Sequence, residues 1–356
     1  MYIMKKSLFY LMALFCALNL FSSCGDDDEK KDEPTPEDTT WKAVAGSYTA
    51  DKLKLTYNGQ ELNNQYVMIE AVSAEKATAT LKGMVAGVDE VKVDLVMSKA
   101  TKAEEVIANY SLEGTATVEG SRTVSVTGNV NAGVLTLAVA IKVDSPLIGT
   151  WVFPPYVPSD INGDGKIDAN DYNVMGGSFF MSLTTESGEI AFGGQTIPDY
   201  QFCAFADQKA EAAIAEVAPE ITFLENGNIT ISFTKEGKAT KLEGLMEYYV
   251  KDKMLYVTLD ITALMGMLKS EDNTLAELIA MAQNGIPLVL EEEDGEYSIL
   301  INNTLATSLG TQLAPVMELI AGIMPDKAEM IGQIGTLLPV IMADKDFMVG
   351  INLSKK

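Results

Sequence analysis

The stretch Gly133-Val134-Leu135-Thr136-Leu137-Ala138-Val139-Ala140-Ile141-Lys142-Val143 decides the fold of this chain. Leu135, Leu137, Val139 and Ile141 alternate with small or polar residues along it. A period of two places one set of side chains on the buried face of a sheet and the other set toward solvent. The stretch therefore predicts a half-buried β-strand.

Neighbouring stretches with the same alternation predict an antiparallel sheet, curled into a barrel or a sandwich. Asn58-Gly59 is a strong two-residue hairpin signal, with a strand predicted at Tyr48–Tyr57 before it and a return at Glu61–Val67 after it. The further strands are predicted at Ala77–Met84, Glu90–Met97, Ile107–Val118 and Arg122–Val130.

Asp144-Ser145-Pro146 marks a boundary, after which the opening of the first part is repeated. Val44-Ala45-Gly46-Ser47-Tyr48 is echoed by Leu147-Ile148-Gly149-Thr150-Trp151, and the hairpin Asn129–Leu137 is echoed by Tyr249–Val257. The Gly-x-Trp/Tyr opening resembles the lipocalin-like domains of many lipoproteins of the Bacteroidetes group, which implies a barrel with a ligand-sized mouth. We predict two such β domains, at 41–144 and 145–356.

Helices elaborate the second domain, so the predicted fold class is mainly β with added helices (α+β). The predicted strands of this part are Ser178–Thr184, the hairpin Leu288–Asn302 and Asp346–Leu353. The predicted helices are Gln208–Val217, Ala263–Leu268, Thr274–Gln283, Thr304–Met324 and Asp326–Met342. The late helices are apolar and rich in methionine, a soft side chain that fills cores but also lines adaptable binding surfaces. A hydrophobic core and a groove for an apolar ligand or partner are both open readings.

A calcium loop is predicted at residues 160–171, Asp-Ile-Asn-Gly-Asp-Gly-Lys-Ile-Asp-Ala-Asn-Asp. Oxygen ligands fall at loop positions 1, 3, 5, 9 and 12, a backbone carbonyl at position 7, and a glycine at position 6 permits the sharp turn. The predicted ligands are Asp160, Asn162, Asp164, Lys166 through its carbonyl, Asp168 and Asp171. The alternative is a polar turn that binds no ion.

This loop resembles the EF-hand family, and its Asn162 and Asp171 resemble the dockerin branch. The resemblance covers only the loop, because the prolines at 154, 155 and 158 exclude an entering helix and Gly176-Gly177 limits the exiting one. Without a helix pair to open, we expect the calcium to be structural rather than sensory.

The amino-terminal residues predict a lipid anchor. Lys5-Lys6 precedes an uncharged apolar run from Ser7 to Leu20, which is a secretory signal rather than a membrane span. Residues 21–24 resemble a bacterial lipobox, which implies cleavage after residue 23 and lipidation of Cys24. The acidic residues after Cys24 resemble the surface-export signal of Bacteroidetes lipoproteins and imply display on the outer face of the outer membrane. Residues 24–40 read as a disordered acidic tether.

Composition excludes several function classes. Removal of residues 1–23 takes away two lysines and no acids, which leaves 24 basic and 50 acidic residues and a formal charge of −26. Such a chain repels nucleic acid. It has no histidine, so imidazole catalysis and histidine-ligated zinc are excluded. After Cys16 and Cys24 only Cys203 remains, so no intrachain disulfide can form. We predict no enzymatic activity.

The predicted function is capture of an extracellular ligand by a calcium-stabilised surface lipoprotein. Aromatic residues flank the calcium loop, and sugar rings stack on exposed aromatics, so Tyr156 and Tyr172 are the candidate glycan-binding residues. An apolar ligand is the other candidate. The alternative function is a structural or protein-interaction component of the cell envelope, with the methionine-rich helices as its contact surface.

Overall fold

The computed structural model describes residues 39–99, 109–157, 165, 177–192, 194–235, 237–259, 285–308, 332 and 344–356. Residues 40–356 form one compact unit that contains two sheets of nine strands and a two-stranded hairpin. One long α-helix accompanies the sheets in the described part of the chain. The fold is therefore mainly β with added helix, which confirms the predicted fold class.

The first sheet contains β1–β9 in the spatial order β1-β4-β5-β6-β7-β8-β9-β2-β3. It is a curled half-barrel, and no pairing among the described strands closes it. Its strands are β1 (Gly46–Thr49), β2 (Leu53–Tyr57), β3 (Gln60–Leu62), β4 (Tyr66–Ala71), β5 (Lys76–Val85), β6 (Val88–Lys99), β7 (Asn109–Val118), β8 (Arg122–Asn131) and β9 (Val134–Val143).

Two predicted strands of the first sheet are interrupted. A 3-10 turn at Ala50–Lys52 breaks the predicted strand Tyr48–Tyr57, so that β1 and β2 lie at distant places in the sheet. The return strand is broken near Asn64, whose φ of +61° ends β3. The turn at Asn58-Gly59 has positive φ at both residues, as a type I′ hairpin requires. β2 also pairs with β9 in parallel, the one exception among the described strand pairs to the antiparallel pattern that we expected.

The curled first sheet encloses a filled core. The inward residues of its central strands are buried almost completely, among them Ala79, Val93 and Val126 at 0% exposure. The alternation of the fold-deciding stretch is realised here, since Leu135, Leu137, Val139, Ile141 and Val143 are all buried. Close packing of this kind leaves no room for a guest molecule.

The second sheet closes into an eight-stranded barrel. Its order is β10-β14-β15-β16-β17-β18-β19-β20, and β20 pairs back onto β10, while β11 lies beside β20 as a ninth strand. The strands are β10 (Gly149–Val152), β11 (Phe179–Ser182), β14 (Glu220–Phe223), β15 (Asn228–Lys235), β16 (Lys238–Lys251), β17 (Met254–Leu259), β18 (Ile286–Glu293), β19 (Glu296–Asn302) and β20 (Met348–Lys355).

A hairpin and a helix lie between β11 and β14. The hairpin is β12 (Glu189–Phe192) with β13 (Gln195–Pro198), and helix α1 spans Asp199–Val217. The helix starts nine residues before the predicted Gln208, because the aromatic residues Tyr200, Phe202 and Phe205 favour strand and hid its first half. The structure also has helix at residues 303–308, the start of the predicted Thr304–Met324. The predicted helices Ala263–Leu268, Thr274–Gln283 and Asp326–Met342 lie outside the described residues, apart from residue 332.

The repeated opening predicted from the sequence has the same geometry in both halves. In the first half the Tyr48 hydroxyl donates a hydrogen bond to the carbonyl of Val44 at 2.7 Å. In the second half Nε1 of Trp151 donates to the carbonyl of Leu147 at 2.6 Å. The second predicted echo differs: β8–β9 and β16–β17 are both hairpins, but they occupy different places in the orders of their sheets.

The two halves meet around the only arginine of the chain, Arg122. It is 2% exposed, and its guanidinium lies 4.0 Å from the ring centroid of Tyr249 on β16. Nε donates to the carbonyl of Glu119 and Nη1 to that of Ala86. Burial lowers the pKa of Arg122, while nearby Tyr249, Tyr57, Glu247 and Glu119 favour its charged form. Arginine suits this position better than lysine, because its planar fork donates to two carbonyls while it stacks on a ring.

Tyr249, on β16 of the second sheet, packs against the first sheet at this junction. Its other face stacks on Tyr256 at 4.8 Å, with an angle of 2° between the rings. A Cβ at Gly87 would lie 2.8 Å from Cζ of Tyr249, and a Cβ at Gly120 would lie 3.0 Å from its Cδ2. The turns at Gly87 and Gly120 therefore form a socket for the Tyr249 ring, and Arg122 and Tyr256 stack on that ring.

We predict that Gly87→Ala destabilises the protein more than Gly133→Ala does. Both glycines are hairpin residues of the first sheet with similar positive φ, so each alanine costs about 1–2 kcal/mol of backbone strain. Only the Gly87 Cβ collides with Tyr249, whereas Gly133 has open space around it. The overpacking adds roughly 1–3 kcal/mol. Urea denaturation measures both losses, and equal losses would contradict the socket.

Candidate functional site

The inner face of the barrel is defined by strand register, because residues directly opposite on paired strands share a face. Trp151 lies opposite Ile221 on one side and Lys355 on the other, so the same face continues through the closing seam. Following the pairs around the barrel gives an inner face that is apolar along its middle. It includes Phe223, Ile231, Tyr248, Val257, Leu288, Ile299, Ile351 and Leu353.

Burial along this inner face is graded. On each of six strands, a buried inward residue has a half-buried inward neighbour two positions away along the chain. The pairs, with the buried member first, are Phe223 and Ile221, Ile229 and Ile231, Tyr248 and Met246, Leu255 and Val257, Leu290 and Leu288, and Leu353 and Ile351. We call the six half-buried residues the aliphatic ring. Because they pack against the core yet retain accessible surface, the described residues do not fill the interior of the barrel at this level.

The two ends of the barrel differ. The floor end has the short turns at residues 224–227, 252–253 and 294–295. The mouth end has the long connections at residues 260–285 and 303–347 and the short one at residues 236–237. Residues 153–178 leave the wall between Val152 and Phe179, which lie in succession along β20. In every one of the six pairs the half-buried member is the one nearer the mouth end. Among the described residues, the inner face therefore keeps accessible surface toward the mouth end and is buried toward the floor end.

Aromatic residues build the floor. Trp151 is 2% exposed and packs edge-on against Tyr297 at 5.2 Å. Phe223 packs edge-on against Tyr248 at 4.9 Å, and the Tyr248 hydroxyl donates to the carbonyl of Leu224. Burial raises the pKa of Tyr248, so its hydroxyl stays neutral. These contacts fix the rings and give a rigid base beneath the aliphatic ring.

The first half of the chain packs against this floor end. Val143 donates its backbone N–H to the carbonyl of Glu225 at 2.7 Å, and Nδ2 of Asn58 donates to the carbonyl of Asn226 at 3.0 Å. Lys251 forms an ion pair with Glu119 at 2.6 Å. The buried residues of both halves belong to one continuous hydrophobic cluster. The filled first sheet thus seals the barrel from below.

The predicted calcium ligands Asp160, Asn162, Asp164, Lys166, Asp168 and Asp171 lie outside the described residues. Gly165 is described, and its φ of +82° is the left-handed conformation expected for the glycine of such a loop. The segment is closed at its base, where the Ser178 hydroxyl donates to the carbonyl of Pro154 at 2.7 Å. These two observations describe the segment between β10 and β11, and calcium binding by it stays a prediction.

The other predicted site residues are only partly described. Cys24 and Tyr172 lie outside the described residues. Tyr156 is half-buried, with its Cβ 2.8 Å from where a Cβ on Gly177 would lie. This position packs Tyr156 against the base of the loop. The aliphatic ring was not predicted from the sequence, although the period-two pattern of β14–β20 already separates its members from the outer face.

Cys203 is buried in a second hydrophobic cluster with Met181, Leu183, Phe202 and Phe347. Burial raises the pKa of its thiol to about 11, with a smaller contribution from nearby acidic residues such as Asp207. The thiol therefore stays protonated at neutral pH and has little nucleophilic character. In this environment Cys203 acts as a small buried hydrophobic residue.

Comparisons with protein-family models, with curated proteins and with solved structures find no match for this chain. Within the described residues, none of the helices has the length and apolar character needed to cross a membrane.

We predict that calcium raises the thermal midpoint of unfolding and that Asp160→Ala abolishes this rise. An ion that binds only the folded chain stabilises it by mass action, and Asp160 supplies the first ligand of the loop. Differential scanning calorimetry with calcium and with chelator measures the difference. The control is Asp89→Ala, an exposed acid on β6, which keeps the full calcium response. No calcium response in the unmodified protein would show that the loop is a polar turn that binds no calcium.

Proposed function

We propose that this chain is a lipid-anchored binding protein of the outer membrane surface, and that the interior of its second-half barrel holds an apolar ligand. The observation that supports this proposal is the accessible aliphatic ring inside a closed barrel. Apolar side chains with exposed surface in a concave site are stabilised by a guest that removes this surface from water. The filled first sheet offers no comparable site.

The character of the ring favours an apolar ligand over a glycan. Its residues are aliphatic, while the large aromatic rings of the barrel, such as Trp151 and Phe223, are buried in the floor. A sugar needs exposed aromatic faces and polar partners, and the ring supplies neither. The aliphatic chain or fused-ring body of a lipid-like molecule matches it at about 25 cal/mol for each Å² of apolar surface buried.

The anchor and the ion have supporting roles in this proposal. Lipidation of Cys24 would hold the chain at the membrane, and residues 24–40 would separate the folded part from the bilayer. Calcium held by Asp160, Asn162, Asp164, Lys166, Asp168 and Asp171 would order the connection between β10 and β11, two strands that pair with β20 in succession. The ion would then stabilise this part of the wall without touching the ligand.

Fluorescence tests the proposed site, because the chain has only two tryptophans. In Trp41→Phe the floor residue Trp151 is the only reporter. An apolar, polarity-sensitive dye that accepts tryptophan emission should bind at one site and show emission sensitised by Trp151. We predict that Leu288→Glu weakens this binding at least about tenfold, because it places a charge in the ring.

The matched control is Val96→Glu, which adds the same charge to a residue of the first sheet that is 64% exposed. It should bind the dye with unchanged affinity. Both variants are first checked for an unchanged thermal midpoint. Absence of sensitised emission in Trp41→Phe, or equal affinity in the folded Leu288→Glu protein, would refute the proposed site and favour a role as an interaction component of the envelope.

A further inference from the structure

The wall of the barrel has a gap near its mouth end, because β20 changes its partner along its length. Toward the floor, Ser354 and Lys355 pair with β10. Toward the mouth, Met348–Ile351 pair with β11 instead. The neighbours on the other side, β10 and β14, end at the level of Val152 and Glu220, which pair with each other. Beyond this level the wall consists of β11 on one side and the outer part of β15 on the other.

No strand in the described part of the chain joins these two sides. β11 pairs with β20 on one edge only, and the residues of β15 beyond Ser232 pair only with β16. Three members of the aliphatic ring, Ile221, Ile231 and Ile351, belong to the strands that border the gap. The accessible interior therefore extends to this part of the wall.

Helix α1 covers the gap, since it contacts both β11 and β15. Its buried residues, Phe202, Cys203 and Asp207, all lie in its first half. From Gln208 to Val217 the helix has no fully buried residue. The half-buried positions of this segment are Ala210, Glu211, Ile214 and Val217. Because none of them is fully buried, this half opens at a lower free-energy cost than the first half.

Glu211 is the residue that holds this second half in place. Its Oε1 accepts the backbone N–H of Phe179 at 3.0 Å and also that of Ser178, both at the start of β11. Hydrogen bonds to a carboxylate are stronger than neutral ones. Glu211 thus ties the lightly packed half of α1 to one border of the gap.

We propose that the ligand enters and leaves the barrel through this gap, and that the second half of α1 is its cover. This inference rests on the proposed function of the barrel. Glu211 is a positioning residue: it sets how often the cover opens but touches no ligand. Loss of its hydrogen bonds raises the open population, so entry and exit accelerate together while the affinity stays constant.

Stopped-flow mixing of the full-length mature protein with the apolar dye tests this route. We expect Glu211→Ala to raise the association and dissociation rate constants together by at least about tenfold, because the variant removes both charge-assisted hydrogen bonds. The dissociation constant should change less than about twofold on this account. The control is Glu216→Ala, an exposed glutamate on the same half of α1, which should keep the rates of the unmodified protein.

Each outcome has one meaning. Unchanged rates in Glu211→Ala, or a changed affinity with unchanged association rate, would overturn the gap as the route while leaving the binding site intact. No dye binding in the unmodified protein would instead overturn the proposed function. If Glu211→Ala does not fold, Glu211→Gln replaces it, because the neutral amide still accepts a hydrogen bond. This variant should accelerate both rates to a smaller extent. Unchanged rates would again overturn the route.

Discussion

The short seam between β10 and β20 is the interaction on which the rest of the second half depends. Only two residue pairs form it, Trp151 with Lys355 and Val152 with Ser354. The backbone N–H of Lys356 adds a hydrogen bond to the carbonyl of Thr150 at 3.0 Å, and its amine forms an ion pair with Glu220 at 2.5 Å. Without this seam the sheet would remain open, and the aliphatic ring would face solvent instead of enclosing a site.

The two halves begin with the same strand motif but form different sheets. Tyr48 and Trp151 make the same hydrogen bond to a carbonyl four residues earlier, which fixes the first strand of each sheet. In the first half a 3-10 turn then carries the chain across to β2, which pairs with β9 in parallel, and the sheet fills with side chains. In the second half the closing strand comes from the end of the chain, and the barrel keeps an accessible interior.

Part of this architecture can be predicted from the sequence. Alternation located most of the strands, and the type I′ turn at Asn58-Gly59 follows from the positive φ that these residues tolerate. The lipocalin-like resemblance implied a barrel, and the second sheet is one. The pair that closes it could not be predicted, because it joins Trp151 to Lys355 across the whole second half and no local pattern specifies it. The aliphatic ring escaped prediction for a related reason: alternation tells which residues face inward but not whether neighbours fill the space between them. Arg122 did carry a signal, because it is the sole arginine among 26 basic residues.

Methyl NMR of isoleucine-labelled protein, titrated with an apolar probe, tests the central claim most directly. The account predicts shifts at Ile221, Ile231 and Ile351 of the aliphatic ring. It predicts none at Ile69 and Ile141, which are buried in the filled first sheet at 1% and 6% exposure. Shifts confined to the first sheet, or no shifts at the three ring residues at saturating probe, would contradict a barrel with an accessible apolar interior.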